Sequence, residues 1–401
     1  MTSIPIPEGS PFGPANLPYG VFSAPGTAPR VGVRVGDSVV DLARALGDEV
    51  FARPSLNAFM AQGPERWAQV RRRVTELVAG SAEGAADGGG VPGDAVFPVD
   101  AVTLHLPFEV ADYVDFFASE QHASNAGRIF RPGAEPLKPN WKHLPVGYHG
   151  RAGTVVVSGT GIVRPKGQRR PSEPGGTPSF GESRRLDIEA ELGFVVGVGS
   201  AHGTSIPCAD FARHVFGAVL VNDWSARDIQ AWESAPLGPF LGKSFATSVS
   251  PWVVPLAALE HARIPLPPQD PEPLPYLRDT EPWGLDIDMA IAWNGEVVSR
   301  PPYRTMYWSP AQMLAHLTVN GASTRTGDLF ASGTVSGSER DRYGSFLELT
   351  WGGAEPVKVG GEERTFLEDG DEVAVSATAP GPGGARIGFG EVRGRVLPAA
   401  G

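Results

Sequence analysis

The stretch Leu186-Asp187-Ile188-Glu189-Ala190-Glu191-Leu192-Gly193-Phe194-Val195-Val196 constrains this chain more than any other. Apolar and acidic residues alternate with period two, so a strand here carries Asp187, Glu189 and Glu191 on one face. Neighbouring carboxylates repel one another unless positive charge lies between them. A solvated edge strand tolerates that repulsion, but this segment runs on into Phe194, Val195 and Val196, which reads as buried. A partly buried carboxylate cluster calls for a hard cation, because unpaired buried charge is costly. Oxygen-only ligands favour Ca²⁺, Mg²⁺ or Mn²⁺ over zinc.

With 401 residues the chain can bury a large core, and one big domain plus a smaller one is the expected organisation. The net charge of −11 and the lack of a basic patch argue against nucleic acid as partner. No apolar run approaches the ~20 residues that span a bilayer, so no membrane partner is expected. The first residues, Met1-Thr2-Ser3-Ile4-Pro5, lack the pattern of a signal peptide. The single cysteine, Cys208, excludes an intramolecular disulfide and a cysteine-based zinc site. A reduced, cytoplasmic setting is the expectation. Glycine (51) and proline (39) without a collagen period, among many Val, Trp and Phe residues, predict turns joining short strands, hence a mostly-β fold with some helix.

Residues 17–42 hold two Val-rich runs split by Gly, Pro and Asp, the pattern of a small β-module. Pro64-Glu65 opens a predicted helix with Trp67, Val70, Val74 and Leu77 on one side and Arg71–Arg73 on a solvated side. The Gly/Ala-rich stretch from Gly80 to Gly93 reads as a surface loop or linker. A domain boundary is placed near residue 105. If helical, Asp112 to His122 puts Asp115 and His122 on one face. Val155-Val156-Val157 reads as a strand, and Arg164-Pro165-Lys166-Gly167-Gln168 exits into a long Pro/Gly/Ser loop ending near Gly181. Residues 215–221 (VFGAVLV) read as a buried strand that delivers Asn222 and Asp223 to its end, followed by a short helix from Ala226 to Trp232. Gly197–Gly203 is one residue too long for a dinucleotide fingerprint, and Gly238–Ser244 one too short for a phosphate-binding loop.

The acidic strand, the Asp115/His122 segment and the Asn222–Ser244 segment together resemble the fumarylacetoacetate hydrolase family. The most specific stretches are HLPVGYHGRAGTVVVSGT (143–160), NDWSARDIQAWE (222–233), PLGPFLGKSFATSVSPWVVP (236–255) and GDLFASGTVSG (327–337). The resemblance implies a small N-terminal SH3-like barrel (1–105) and a larger C-terminal catalytic β-roll domain (106–401) that forms a homodimer. It implies hydrolysis of a carbon–carbon bond in a 1,3-diketo acid to give fumarate and acetoacetate, at the end of tyrosine and phenylalanine breakdown. A divalent cation, Ca²⁺ or Mg²⁺ with Mn²⁺ as a further candidate, would be held by Asp115, Glu189, Glu191 and Asp223, with Lys243 and Thr247 beside it. The catalytic histidine falls on His122, its acidic partner on Glu348, and substrate contacts on Arg131, Tyr148, Gln230 and Thr334. Asp187 shares the alternating face, but the family pattern gives it a structural place. Tyrosines of the family pattern are replaced here by Phe117 and Ser234, which removes two phenolic donors from the substrate's far end, each worth about 0.5–1.5 kcal/mol.

The chemistry fits these residue types. Cleaving a C–C bond beside a ketone with water needs a general base and stabilisation of the departing carbanion. A chelated cation polarises the carbonyl, and histidine with a carboxylate partner serves as base near neutral pH. Arg227 and Gln230, three apart on the short helix, can point at one site and, with Lys243, supply donors for developing oxyanion charge. Alone, His122, Glu348, Arg227 and Tyr148 would read as ordinary structural or surface residues. An acylpyruvate-type hydrolase of the same superfamily, or a non-catalytic protein stapled by its ion, are the rival readings.

Overall fold

The computed structural model describes residues 3–83, 90–171, 173 and 175–401. The architecture is mostly β, as expected. Near the N-terminus a five-stranded antiparallel sheet runs in the order Val96–Pro98, Ser38–Asp41, Arg30–Val35, Tyr19–Ser23 and Thr103–His105. This is the small β-module predicted from residues 17–42. The helix Pro64–Glu83 begins where Pro64 fixes its first turn and buries Val70, Val74, Leu77 and Val78. Its basic run is only partly solvated: Arg71 donates to the carbonyls of Asn16 and Ala15, tying down the chain ahead of the first strand. The predicted linker does not begin at Gly80, since the helix runs on to Glu83; residues 84–89 of it lie outside the described residues.

An eight-stranded sheet forms the centre. Its main path runs through Gly147–His149, Tyr113–Phe116, Leu329–Ala331, Ala190–Val196, Val215–Asp223, Thr247–Val249 and Val155–Val157. Tyr113–Phe116 lies parallel to Leu329–Ala331, while Ala190–Val196 is antiparallel to both of its neighbours. A second five-stranded sheet follows the order Glu296–Ser299, Asp288–Trp293, Glu372–Pro380, Arg386–Leu397, Ile162–Val163.

Both faces of the central sheet are covered, which explains why its strands read as continuous apolar runs. Ala190, Leu192, Phe194 and Val196 face the main core with Ala218 and Leu220. Val195, Val219, Val221 and Val249 face the other way, into a core shared with Tyr19, Val33, Phe59 and Val74 of the N-terminal part. By strand alternation that second face also carries Tyr113, Asp115, Glu191, Asp223 and Thr247. Three of the predicted ligands thus continue an apolar stripe, at the end of the sheet where Asp223 closes its strand.

Three local expectations need correction. Asp112–His122 is not one helix: Tyr113–Phe116 is a strand, and the helix starts at Glu120, capped by Ser119, whose Oγ accepts from the His122 N–H at 3.2 Å. The acidic alternation is not one strand either. Leu186–Asp187 pairs with Ser225–Ala226, the chain breaks at Ile188-Glu189, and the long strand resumes at Ala190. The end of the loop expected after Gln168 is a strand, Ser179–Glu182, which pairs antiparallel with Lys166–Arg169. No helix among the described residues is long and apolar enough to cross a membrane.

Candidate metal centre and catalytic pocket

Asp115, Glu189, Glu191 and Asp223 each bring a carboxylate oxygen within 4.8 Å of the others, and all four are buried. They arrive from separate elements: Asp115 from Tyr113–Phe116, Glu191 and Asp223 from paired central strands, Glu189 from the break between strands. That break is pinned by the Asp223 N–H to the Glu189 carbonyl (3.1 Å) and the Glu189 N–H to Asn222 Oδ1 (3.3 Å).

The four carboxylates differ in their partners. Lys243 Nζ bonds to Glu189 and lies 2.8 Å from Asp223 Oδ2, and Thr247 Oγ1 donates to Asp223 Oδ1 at 2.7 Å. Tyr148 reaches Asp223 Oδ2 at 3.4 Å. Arg227 Nη1 lies 2.8 Å from Glu189 Oε1. Both oxygens of Glu191, and Asp115 Oδ1, are buried without a hydrogen-bond partner.

Electrostatics follow that division. Burial, then repulsion from Asp115 and Glu189, pushes Glu191 well above the usual carboxylate range. Burial and repulsion from Asp223 do the same to Asp115. For Glu189, burial works upward but Lys243, Arg227 and His122 outweigh it and hold the carboxyl below its ordinary value. Burial would lower Lys243, yet Asp223 and Glu189 raise it and keep it an ammonium ion. Lys243 and Arg227 leave the cluster with an excess of negative charge and orphaned oxygens, which suits a hard divalent cation.

Next to this cluster His122 Nε2 lies 3.7 Å from Glu189 Oε1, and His122 Nδ1 lies 2.7 Å from Glu348 Oε2. Glu348 is fully enclosed. Its carboxylate also accepts from Ser336 Oγ (2.9 Å), Ser345 Oγ (2.8 Å) and Asn125 Nδ2 (3.0 Å). Burial would raise Glu348, but His122 and these donors hold it below its ordinary value. An ionised Glu348 only accepts, so the His122 ring carries a proton on Nδ1 and turns Nε2 toward the cluster.

Glu348, which alone would read as an exposed strand residue, sits on the short helix Phe346–Leu349. The signal was in the sequence: Ser345-Phe346-Leu347-Glu348 is the spacing of a helix cap, and Ser345 Oγ accepts from the Glu348 N–H. Gly344 lets this segment press close, because a Cβ there would lie 2.1 Å from the Val335 carbonyl oxygen. Asn125 and Ser336, which hold Glu348, carried no such signal.

The remaining predicted residues fall at varied distances from this centre. Gln230 Oε1 accepts from Arg227 Nη1 at 3.1 Å, while Arg227 Nη2 is buried without a partner. The Phe117 ring packs edge-on against His122 with centroids 5.3 Å apart. Thr334 Oγ1 is buried and unpartnered. Arg131 ends the His122 helix and donates to the Pro136 carbonyl at 2.9 Å. The Ser234 hydroxyl is turned back onto the Gln230 carbonyl at 2.5 Å. No hydrogen bond or ion pair among the described residues joins Arg131 or Ser234 directly to the carboxylates.

Comparisons with known proteins agree with this architecture. The family described as fumarylacetoacetate (FAA) hydrolase C-terminal matches residues 113–397, and fumarylacetoacetase N-terminal matches residues 15–107. The fumarylacetoacetase of Rattus norvegicus is 47% identical over 419 residues, covering 100% of this chain and 99% of that protein. A fumarylacetoacetate hydrolase from the psychrophilic Exiguobacterium antarcticum shares the fold at a TM-score of 0.58 and 18% identity, over 96% of this chain and 100% of the other. A maleylpyruvate hydrolase from Sphingobium sp. SYK-6, solved with manganese (II) ion and pyruvate, does so at 0.50 and 15%, over 96% and 100%. Family matches over both parts of the chain, together with full-length identity near one half, show that the chain belongs to the fumarylacetoacetate hydrolase family.

Proposed function

We propose that this chain hydrolyses the carbon–carbon bond of 4-fumarylacetoacetate, giving fumarate and acetoacetate, the reaction named for its full-length relatives. The observation that carries the reading is the juxtaposition of an orphaned carboxylate cluster with a buried His122–Glu348 pair. Asp115, Glu189, Glu191 and Asp223 would hold a divalent cation, Ca²⁺ or Mg²⁺, with Mn²⁺ supported by the manganese in the Sphingobium neighbour. When bound, such an ion supplies Lewis-acid polarisation of the diketone oxygens and neutralises enolate charge.

The residues of the chain do the rest. His122 Nε2 takes a proton from water as the water oxygen bonds to the ketone carbon; Glu348 steadies the imidazolium. The C–C bond then breaks, its electron pair leaves on the acetoacetate fragment as an enolate, and the proton on His122 is available to protonate that carbon. Arg227 Nη2, free of protein partners, and the Lys243 ammonium donate to the developing oxyanion. Gln230 spends its carbonyl on Arg227, so its amide N–H groups remain to bind substrate. Thr334, Tyr148 and Arg131 complete the proposed substrate contacts. With Phe117 apolar and Ser234 folded back on its own helix, the far end of the substrate meets fewer donors than the family pattern provides.

Turnover of fumarylacetoacetate, followed by loss of diketone absorbance before and after chelation, tests this reading. Rapid, chelator-sensitive turnover that exceeds turnover of acylpyruvates is expected. Preference for an acylpyruvate would move the chain to the sister activity, and turnover indifferent to chelation would remove the ion from the reaction.

The chain is also proposed to divide near residue 105, where the N-terminal sheet ends, and to act as a homodimer through its larger part. Closed two-fold dimers are the commonest oligomers, and the exposed Leu237, Phe240 and Leu241 beside the pocket helix offer apolar surface for such a contact. Light scattering should return twice the chain mass; a monomer mass at micromolar concentration would exclude the dimer.

A further inference from the structure

Asp187 lies on the acidic stretch yet takes no part in the carboxylate cluster. It is fully enclosed, and all four hydrogen bonds to its carboxylate come from N–H donors. Oδ1 accepts from the Ile188 N–H (2.7 Å) and the Phe346 N–H (2.7 Å). Oδ2 accepts from the Leu347 N–H (2.9 Å) and from Arg227 Nε (2.7 Å). One side chain therefore meets three separate elements. The Ile188 bond turns the chain at the strand break that sets Glu189. The Phe346 and Leu347 bonds anchor the short helix bearing Glu348. The Arg227 bond fixes the guanidinium whose Nη1 reaches Glu189 and Gln230 and whose Nη2 is left free.

We propose that Asp187 is a positioning residue of the active site, whose single carboxylate sets the His122–Glu348 pair and the Arg227 guanidinium in register with each other. The proposal rests on the reading of the reaction given above. The physical argument is one of connectivity. His122 is aimed by Glu348, and Glu348 is held by a helix of only four residues, Phe346–Leu349. A helix that short has little stability of its own, so its placement depends on what its first N–H groups bond to. Arg227 has the same dependence from the other side. A guanidinium has a fixed planar fork, so anchoring Nε against Asp187 determines where both Nη groups point. A purely structural acid could be satisfied by any donors. This one takes donors from the two segments that carry the proposed proton-transfer and oxyanion groups.

Asp187→Asn keeps the shape but places an amide –NH₂ against two N–H donors in either orientation, so either the Ile188 and Phe346 bonds or the Leu347 and Arg227 bonds are lost. In the ion-loaded protein, kcat per bound ion should fall about 10–100-fold, as for other residues that orient a site from behind. Ion stoichiometry should stay near the parent value, because all four carboxylates of the cluster and Lys243 remain. A role confined to stability would lower the unfolding temperature and leave kcat per bound ion within about twofold of the parent, and that result would overturn the proposal. If Asp187→Asn does not fold, Asp187→Glu keeps the charge and displaces it by one methylene; the same loss of kcat supports the proposal, and parent-like kcat overturns it. The parent's own turnover, measured alongside, tests the reaction separately. The ¹⁵N signals of the His122 ring read the positioning with no substrate present: changed ring signals in the Asp187 variant support it, and superimposable ones overturn it.

Discussion

Glu191→Gln is expected to abolish calorimetric binding of a divalent cation while leaving the fold intact. Glu191 contributes two of the three cluster oxygens that are buried without a protein partner, Asp115 Oδ1 being the third, so both its oxygens are left for an ion. Neither Lys243 nor Arg227 forms an ion pair with it. The variant is isosteric and removes a charge whose burial costs free energy, so without ion it should unfold at the same temperature as the ion-free parent or higher. The parent should gain on loading: saturation at one hundred times the dissociation constant is worth about 2.7 kcal/mol. That rise in unfolding temperature should vanish in Glu191→Gln.

The pH dependence has a definite sign. Glu191 and Asp115 are raised well above the ordinary carboxylate range, chiefly by burial and then by each other or by Asp223. A carboxyl raised in the folded state contributes stability below its unfolded value, near pH 4, that is lost as pH rises through the raised value. Ion-free protein should therefore lose stability on going from acid toward neutral pH in this respect. Ion binding needs both groups ionised and should strengthen over the same window, releasing protons. Undiminished ion binding by Glu191→Gln, or an affinity insensitive to pH, would place the ion elsewhere.

Much of this site was legible in the chain because its carboxylates sit within strongly patterned strands. Glu191 and Asp223 are positions on apolar strands where the side chain turns acidic, and that interruption is visible without a structure. Asp115 and His122 share a face by helical spacing only if the whole segment is helical, and Ser119, as the cap, starts the helix after Asp115. The chain enters as a strand and only then turns helical, so the two residues meet through the fold and not through helical spacing. Period two makes Glu189 and Asp187 equivalent, yet the break at Ile188 puts Glu189 in the cluster and leaves Asp187 outside it, paired with Arg227. Alternation is a property of continuous strands, so it could not report that break. The shared core was also hidden. Val195, Val219 and Val221 bury against the N-terminal module, and a one-dimensional pattern says that a strand is covered on both faces without saying by what.

His122→Ala is expected to cut kcat by about 10²–10⁴-fold, the range typical of a lost general base. Three features support that role. Glu348 holds Nδ1 at 2.7 Å, so Nε2 is the free nitrogen, and Nε2 lies on the side of the carboxylate cluster. Lys243 cannot replace it, because Asp223 and Glu189 keep it an ammonium ion against the effect of burial. Tyr148 is no better, since burial and then the charges of Asp223 and Asp115 push its phenol well above the usual range. KM should change far less than kcat, because substrate would still be held by Arg227, Lys243 and the ion. Glu348→Gln should act in the same direction but more mildly. It preserves the side-chain shape, and its donors Ser336, Ser345 and Asn125 can rotate or flip to suit an amide. The charge that steadies the imidazolium is what it loses. The double variant should be little worse than His122→Ala alone, since a carboxylate that works through the histidine has nothing left to act on once the ring is gone. Initial rates over a range of substrate concentrations, for the parent, both single variants and the double, complete the cycle. Near-normal kcat in His122→Ala would sink the assignment. Strictly additive losses would separate Glu348 from the histidine and leave it a role in packing alone.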